Sequence, residues 1–363
     1  MKVEKLTVSA PGRICLFGEH QDYLGLPVIT AAINLRISIQ GAKRNDKTFR
    51  LDLPDIGEKD EINLAERNRP ITYIKERDYF RSGINVLLRQ NIKFSNGYNC
   101  IVQGNIPINS GASSSSALIV AWIQFLLAIA SDERSNNPLE VARLAHQAEV
   151  VEFKEPGGMM DHYAASFGGI LYIDFSIPGG HQSRILGTKL GNFVLGDSLE
   201  PKDTKKILAR VKGGTLEAMN VVSRINKKIS IKTITLEELE RHKNLLTKEQ
   251  FELLRGNIVN RELTQNAKIL FRQQTFDHRR LGQLLNAHQQ ELRERLCIST
   301  PKIDRMIDSA LESGALGAKI NGSGGGGCMF TYAPDSYEQT AEAIARAGGK
   351  PYIISIDKGA YII

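Results

Sequence analysis

The order of predicted elements makes this an α+β protein of two lobes that meet near residue 180. Strands and helices share the first half, whereas the second half is first helical and then strand-rich. Composition agrees. With 42% hydrophobic and 24% charged residues over 363 positions, the chain is globular and long enough for two domains. Collagen-like and largely disordered chains are excluded.

Residues 3–10 set Val3, Leu6 and Val8 among polar neighbours and read as a strand, which Pro11-Gly12 interrupts. Residues 28–40 are rich in Ala, Ile and Val, then alternate from Leu35 to Ile39, predicting a second strand pair. The charged, weakly patterned stretch 45–70 reads as loops on an exposed edge. A strand is expected at 98–104, ended by Pro107. From Ser113 the pattern changes. The run Ala117 to Trp122, with Phe125, Leu126 and Ile129 behind it, predicts a strongly apolar, buried helix.

Asn137-Pro138 joins a cap residue to proline at the first helical position. Leu144, Ala148 and Val151 continue that helix at i, i+4 and i+7, and Gly157-Gly158 ends the region. Residues 170–174 read as a strand. From about 205 the chain is helical, with capping-box spacing at Thr235/Glu238 and Thr247/Gln250. Thr300-Pro301 opens a helix toward Leu311. After the glycine run 322–327 come Cys328-Met329-Phe330, a helix over 336–347 and strands at 352–355 and 360–363. No internal repeat or low-complexity linker is present. The lobes are therefore drawn as 1–180 and 181–363.

Several function classes drop out. No run approaches the ~18–20 apolar residues that span a bilayer, and the N-terminus lacks the apolar core of a signal peptide. Cys15, Cys100, Cys297 and Cys328 lie far apart with no C-x-x-C pair. That argues against a zinc site or disulfide framework and fits a cytoplasmic protein. The net charge of +7 suits anionic substrates. Nucleic acid is not expected as a partner, because the basic residues are scattered among acids and form no stripe.

Three segments are candidates for chemistry. In the first, Pro11 to Tyr23, Arg13, Glu19, His20 and Asp22 crowd around apolar Ile14 to Phe17. Burying such groups costs several kcal/mol unless they pair or bind something; the plain alternative is a solvated turn with a surface ion pair. The second, Pro107 to Ala117, sets Ser110, Gly111, Ala112, Ser113, Ser114, Ser115 and Ser116 ahead of the apolar helix. Small residues and free helix N–H groups make an anion site there, or simply a serine-rich cap. The third, Lys319 to Cys328, holds Gly322, Gly324 and Gly327 in G-x-G-x-x-G spacing. Too few residues follow it for a dinucleotide-binding half, so close packing against another loop explains it better than a flexible turn. No Walker A loop and no protein-kinase H-R-D or D-F-G occurs.

Together these segments resemble the GHMP kinase superfamily over the whole chain. The second resembles its phosphate-binding P-x-x-x-G-L-x-S-S-A loop, with Ala112 at the Leu position. Residues 317–327 resemble its third motif, G-A-x-x-S-G-x-G-x-G-G, with Asn321 for Ser. The first is most similar to the galactokinase type, P-G-R-[IV]-x-[LI]-x-G-E-H-x-D-Y. Gly158-Met-Met-Asp161 resembles galactokinase G-I-M-D, with Glu149 twelve positions before the Asp. Gln21, Leu24 and His162 stand where that pattern has Thr, Asn and Gln.

The resemblance implies a two-lobed GHMP kinase fold with the active site between the lobes. It implies transfer of a phosphoryl group from MgATP to galactose or a related aldose at the anomeric hydroxyl. A mevalonate-like kinase and a non-catalytic sugar sensor are the alternatives. By resemblance, Asp161 accepts the proton and Arg13 sits beside it. Glu19, His20 and Asp22 bind sugar hydroxyls, Ser110 to Ser116 hold the phosphates, and Ser115 and Glu149 take Mg²⁺. The expected partners are the sugar and MgATP, in a monomer or homodimer.

Overall fold

The computed structural model describes residues 4–64, 70–108, 110–177 and 182–363, with the backbone alone at 182–185. Its elements form a mixed α+β fold of two sheets, one of eight strands and one of four. β1 (Lys5–Phe17) and β2 (Val28–Lys43) are the long antiparallel pair of the larger sheet. Pro11-Gly12 does not interrupt β1, contrary to the sequence reading. The strand passes through it with a register shift between Pro11 and Arg13. Pro11 has no N–H to give the ladder, and the Arg13 N–H instead donates to the Ala112 carbonyl at 3.1 Å. A Cβ on Gly12 would lie 2.8 Å from that same carbonyl oxygen, so the bulge needs glycine to dock on the loop.

The stretch read as loops holds a hairpin, β3 (Thr48–Leu53) and β4 (Glu58–Asn63). Phe49, Leu51 and Leu53 alternate inward with Arg50 and Asp52 between them, a short period that the surrounding charge obscures. The charged side chains of β4 protect the sheet edge. β5 (Tyr98–Gly104) runs antiparallel to β2 and parallel to β3. β6 (Ile170–Asp174) pairs with the start of β2, and β7 (Gln182–Leu186) pairs with β6.

Four helices cover this sheet: α1 (Tyr79–Arg89), α2 (Ser114–Ile129), α3 (Pro138–His146) and α4 (Met160–Phe167). α2 lies on β1 and β2 and is buried from Ile119 to Leu127, as its apolar sequence requires. α1 was not foreseen. Asp78 caps it, its carboxylate accepting from Arg81 N, and Phe80, Ile84 and Leu87 turn inward. Trp122 Nε1 donates to the Phe80 carbonyl at 2.9 Å and locks α1 to α2. After α3 the chain makes a π-helical turn over Gln147–Val151. The extra residue rotates the register, so Ala148 is buried while Val151 is exposed.

The second sheet has the order β11-β8-β10-β9, all antiparallel, with β8 (Phe193–Asp197), β9 (Gly317–Asn321), β10 (Cys328–Tyr332) and β11 (Lys350–Ile354). The helices of this half are α5 (Thr204–Ile225), α6 (Leu236–Arg241), α7 (Lys248–Leu270), α8 (His278–Glu294), α9 (Pro301–Glu312) and α10 (Tyr337–Arg346). Both capping boxes form, at Thr235 and Thr247. β12 (Tyr361–Ile362) returns to pair with β1, and α7 and α8 also pack on β1, so the halves are tied together by more than one crossing. Among the described residues, no helix is long and apolar enough to cross a membrane. All four cysteines are free.

Candidate active site

Three loops meet at a cleft of about 410 Å³, within the size range of small-molecule sites. Each loop has a backbone that few residues tolerate. Gly111 (φ +94°) and Ser113 (φ 61°) are left-handed in the turn that starts α2. Of residues 322–327, all but Ser323 have positive φ. That run packs backbone to backbone on the turn before α2. A Cβ on Gly327 would lie 2.4 Å from the Ser110 carbonyl oxygen, and one on Gly111 would lie 2.8 Å from the Asn321 oxygen. The glycines therefore permit close approach, as their sequence suggested. Asn321, at the motif's serine position, stitches the loops: its Nδ2 donates to Gly111 O at 3.0 Å and its Oδ1 accepts from Cys15 N at 2.9 Å.

Arg13 and Asp161 come together from 148 positions apart. Arg13 Nε donates to Asp161 Oδ1 at 2.7 Å, and Nη1 donates to Gly111 O. Burial pushes the Asp161 carboxyl up, but the Arg13 charge and hydrogen bond, with the Ser113 hydroxyl, hold it below its usual value. Asp161 is thus ionised and faces the cleft from the first turn of α4, where the helix dipole favours a negative charge.

Asp22 lies near it. Its carboxylate accepts from Tyr23 N at 2.9 Å and from Met160 N at 3.3 Å. Burial above all, then the Asp161 charge, push the Asp22 carboxyl up to about 6. Gly158 makes room for it: a Cβ there would sit 1.8 Å from Asp22 Oδ2.

Glu149 rises from the π-helical turn, the kind of irregularity that recurs at functional sites. Its Oε2 accepts from His162 Nε2 at 2.7 Å. Burial raises its pKa, but His162 and the Ser115 and Ser116 hydroxyls outweigh that and keep the group low. Ser115 and Glu149 both line the cleft, as do Gly111, Ser113, Ser114 and Ser116. Ser110 and Ala112 do not face it. Ser110 Oγ donates to Pro107 O at 2.8 Å, and Ala112 is fully buried.

Glu19 and His20 also line the cleft, with their polar atoms engaged within the protein. Glu19 is 1% exposed. Its Oε2 takes the Lys319 ammonium at 2.6 Å and its Oε1 accepts from Gly322 N. Lys319, 0% exposed, also donates to Cys15 O and Ile320 O, both at 2.8 Å. His20, left-handed at φ 62°, points Nε2 at Ser323 O, 3.0 Å away. A carbonyl only accepts, so Nε2 carries the proton and Nδ1 accepts from the Tyr23 hydroxyl at 2.6 Å. Burial lowers the His20 pKa to about 4.

Of the departures from the galactokinase pattern, Gln21 turns away from the cleft, donating to Asn257 O on α7 at 2.9 Å. Leu24 is buried, and His162 faces Glu149.

Two lysines were missed in the sequence. Lys319 carried one signal, a charge among the apolar residues of a short segment. Lys202 carried none. It lines the cleft and makes no hydrogen bond or ion pair among the described residues, and a Cβ on Gly111 would lie 2.9 Å from its Nζ. Burial and the Arg13 charge lower its pKa. Among the described residues it is an unpaired cation over the turn before α2.

Comparison with known proteins agrees with this geometry. The GHMP kinases N terminal domain matches residues 78–169, the GHMP kinases C terminal domain 267–354, and the galactokinase galactose-binding signature 2–43. Together they take in more than half of the chain. A mevalonate kinase of Thermococcus onnurineus is 29% identical, covering 98% of this chain and 97% of its own. A galactokinase of Actinobacillus succinogenes is 27% identical, over 95% of this chain and 89% of its own. The crystal structure of Lactococcus lactis galactokinase complexed with galactose shares the fold with a TM-score of 0.84 at 22% identity, over 99% of this chain and 95% of that one. With its serine turn and Asp161 inside the N-terminal domain match, its glycine run inside the C-terminal one and Arg13 inside the signature, the chain belongs to the GHMP kinase superfamily, a family of ATP-dependent small-molecule kinases.

Proposed function

We propose that the chain is a sugar kinase that transfers a phosphoryl group from MgATP to the anomeric hydroxyl of galactose or a related aldose, giving the sugar 1-phosphate. The observation that carries this reading is the Arg13–Asp161 pair with Asp22 beside it, opposite the serine turn in one cleft. Two carboxylates facing the acceptor suit a neutral polyol and repel an acid such as mevalonate. The galactokinase galactose-binding signature over 2–43 supports the same choice.

In this reading residues 1–180 form an N-terminal lobe with the serine turn and sugar motif, and 181–363 a C-terminal lobe with the glycine run. Asp161 accepts the proton of the attacking hydroxyl, and Arg13 holds it ionised and offsets phosphoryl charge. Asp22 accepts from sugar hydroxyls. Glu19 and His20, which line the same cleft, complete the sugar site and hold the loop that carries Asp22. N–H groups of the turn before α2 cradle the phosphates, with Lys202 over them. The donor set fits Mg²⁺, because Glu149 stays ionised beside the Ser115 hydroxyl and Mg²⁺ prefers one or two hard protein oxygens plus substrate phosphates. When bound, that ion would neutralise charge on the phosphates.

The pH dependence follows from Asp22. Its ionised form is the hydrogen-bond acceptor and its pKa is raised to about 6. Asp161, held low, stays ionised throughout. kcat/KM for the sugar is therefore expected to rise as pH rises through about 6, and Asp22→Asn should remove that limb. A wild-type profile flat across this range would contradict the assignment of Asp22.

A second reading, a mevalonate-like kinase, is favoured by one observation: the full-length mevalonate kinase relative at 29% identity. A non-catalytic sensor would have no use for Arg13 and Asp161 together. ADP release measured over hexoses, pentoses, amino sugars, uronic acids and mevalonate separates the three. An aldose should be the best acceptor; mevalonate as best acceptor favours the second reading, and no turnover with any favours the sensor.

A further inference from the structure

We infer that His162 is a positioning residue for Glu149, fixing the aim of the carboxylate that meets the nucleotide's divalent cation. The inference rests on the reading of Glu149 as a cation ligand. Glu149 stands on a π-helical turn, whose wider backbone does not by itself set the direction of a side chain. Its aim comes from its partners. His162 Nε2 lies 2.7 Å from Oε2, with the two side chains 2% and 10% exposed. A carboxylate only accepts, so the ring proton is on Nε2 and points at Glu149. The bond takes up one acceptor site on Oε2 and pins the carboxylate in the cleft that Ser115 and Ser116 also line.

His162 is itself held. It sits on α4 directly after Asp161, and its ring meets the His146 ring edge to face, with centroids 5.3 Å apart. One turn of α4 therefore carries both the carboxylate that faces the acceptor and the donor that steers the metal-facing one. The galactokinase-type pattern has Gln at this position, whose amide N–H can donate to the same carboxylate. The replacement thus keeps a donor at this position while changing its scaffold.

Outer-shell partners of metal ligands typically contribute about 10–100-fold in metal affinity. The test is a Mn²⁺ titration of the full chain with saturating ADP, read by electron paramagnetic resonance. Parent, Glu149→Gln, His162→Leu, His162→Ala and His162→Gln are compared, with cation-free ADP affinity as the check that each variant is folded. Glu149→Gln should weaken Mn²⁺ binding most. His162→Leu and His162→Ala should weaken it about 10-fold or more, and His162→Gln should restore it to near the parent value. Parent-like binding by a folded His162→Leu or His162→Ala, beside a weak Glu149→Gln, overturns the positioning role alone. Equal weakness of His162→Gln and His162→Leu also overturns it, since packing and not the donor would then matter. Parent-like binding by Glu149→Gln overturns the cation reading of Glu149 and the inference with it.

Discussion

Asp161→Asn is expected to lower kcat by about 10²-fold or more while nucleotide affinity stays near that of the parent. Asn keeps the size of the side chain and an acceptor for Arg13 Nε, so the loop contacts of Arg13 with Gly111 O and through its backbone with Ala112 O survive. What disappears is the negative charge. The acceptor hydroxyl then has no group to take its proton, and a guanidinium only 4% exposed loses its counter-ion. Because the loose transition state of phosphoryl transfer needs little help from a base, part of the loss reflects the altered charge balance around Arg13 and the phosphoryl group. Single-turnover kinetics with separate measurement of nucleotide binding checks this; a kcat near that of the parent would remove Asp161 from the reaction.

The second large effect concerns stability. Lys319→Met should destabilise the fold by about 3–5 kcal/mol, the usual cost of removing one partner from a buried ion pair. Lys319 and Glu19 are 0% and 1% exposed, and no water replaces the lost ammonium cheaply. Glu19 also accepts from Gly322 N, so its unpaired charge would disturb the glycine run under the serine turn. The KM for ATP should therefore rise along with the loss of stability. Adding Glu19→Gln to Lys319→Met removes the uncompensated charge and should restore part of the stability. Urea unfolding of the single and double variants measures both effects; a parent-like midpoint for Lys319→Met would show the pair to be energetically idle.

The reading of three loops as one site was accessible in the sequence because each loop departs from ordinary composition. Four successive glycines, a serine tract ahead of an apolar helix and four ionisable groups around apolar residues are all costly without a common cause. The buried helix α2 and both capping boxes were equally legible, since long apolar runs and short-range side-chain bonds are local signals. The hairpin β3–β4 was not, because its inward residues alternate for only three positions among charges. The direction of individual loop side chains was also hidden. Glu19, His20, Gln21 and Asp22 are consecutive, yet they bond to Lys319, Ser323, Asn257 and Met160 respectively, and of the four Gln21 alone leaves the cleft lining. A loop has no period from which such directions follow. Lys202 reaches the turn before α2 from 91 positions away, a tertiary contact that no spacing announces.

The central claim, phosphorylation of a neutral sugar at its anomeric hydroxyl, is tested most directly by comparing kcat/KM for galactose, 1-deoxygalactose, other aldoses and mevalonate. A site built to bond a hydroxyl rejects the analogue lacking it by large factors. Galactose or another aldose should exceed mevalonate, and the 1-deoxy sugar should not turn over. Mevalonate above every aldose, or 1-deoxygalactose turned over as fast as galactose, would contradict the account.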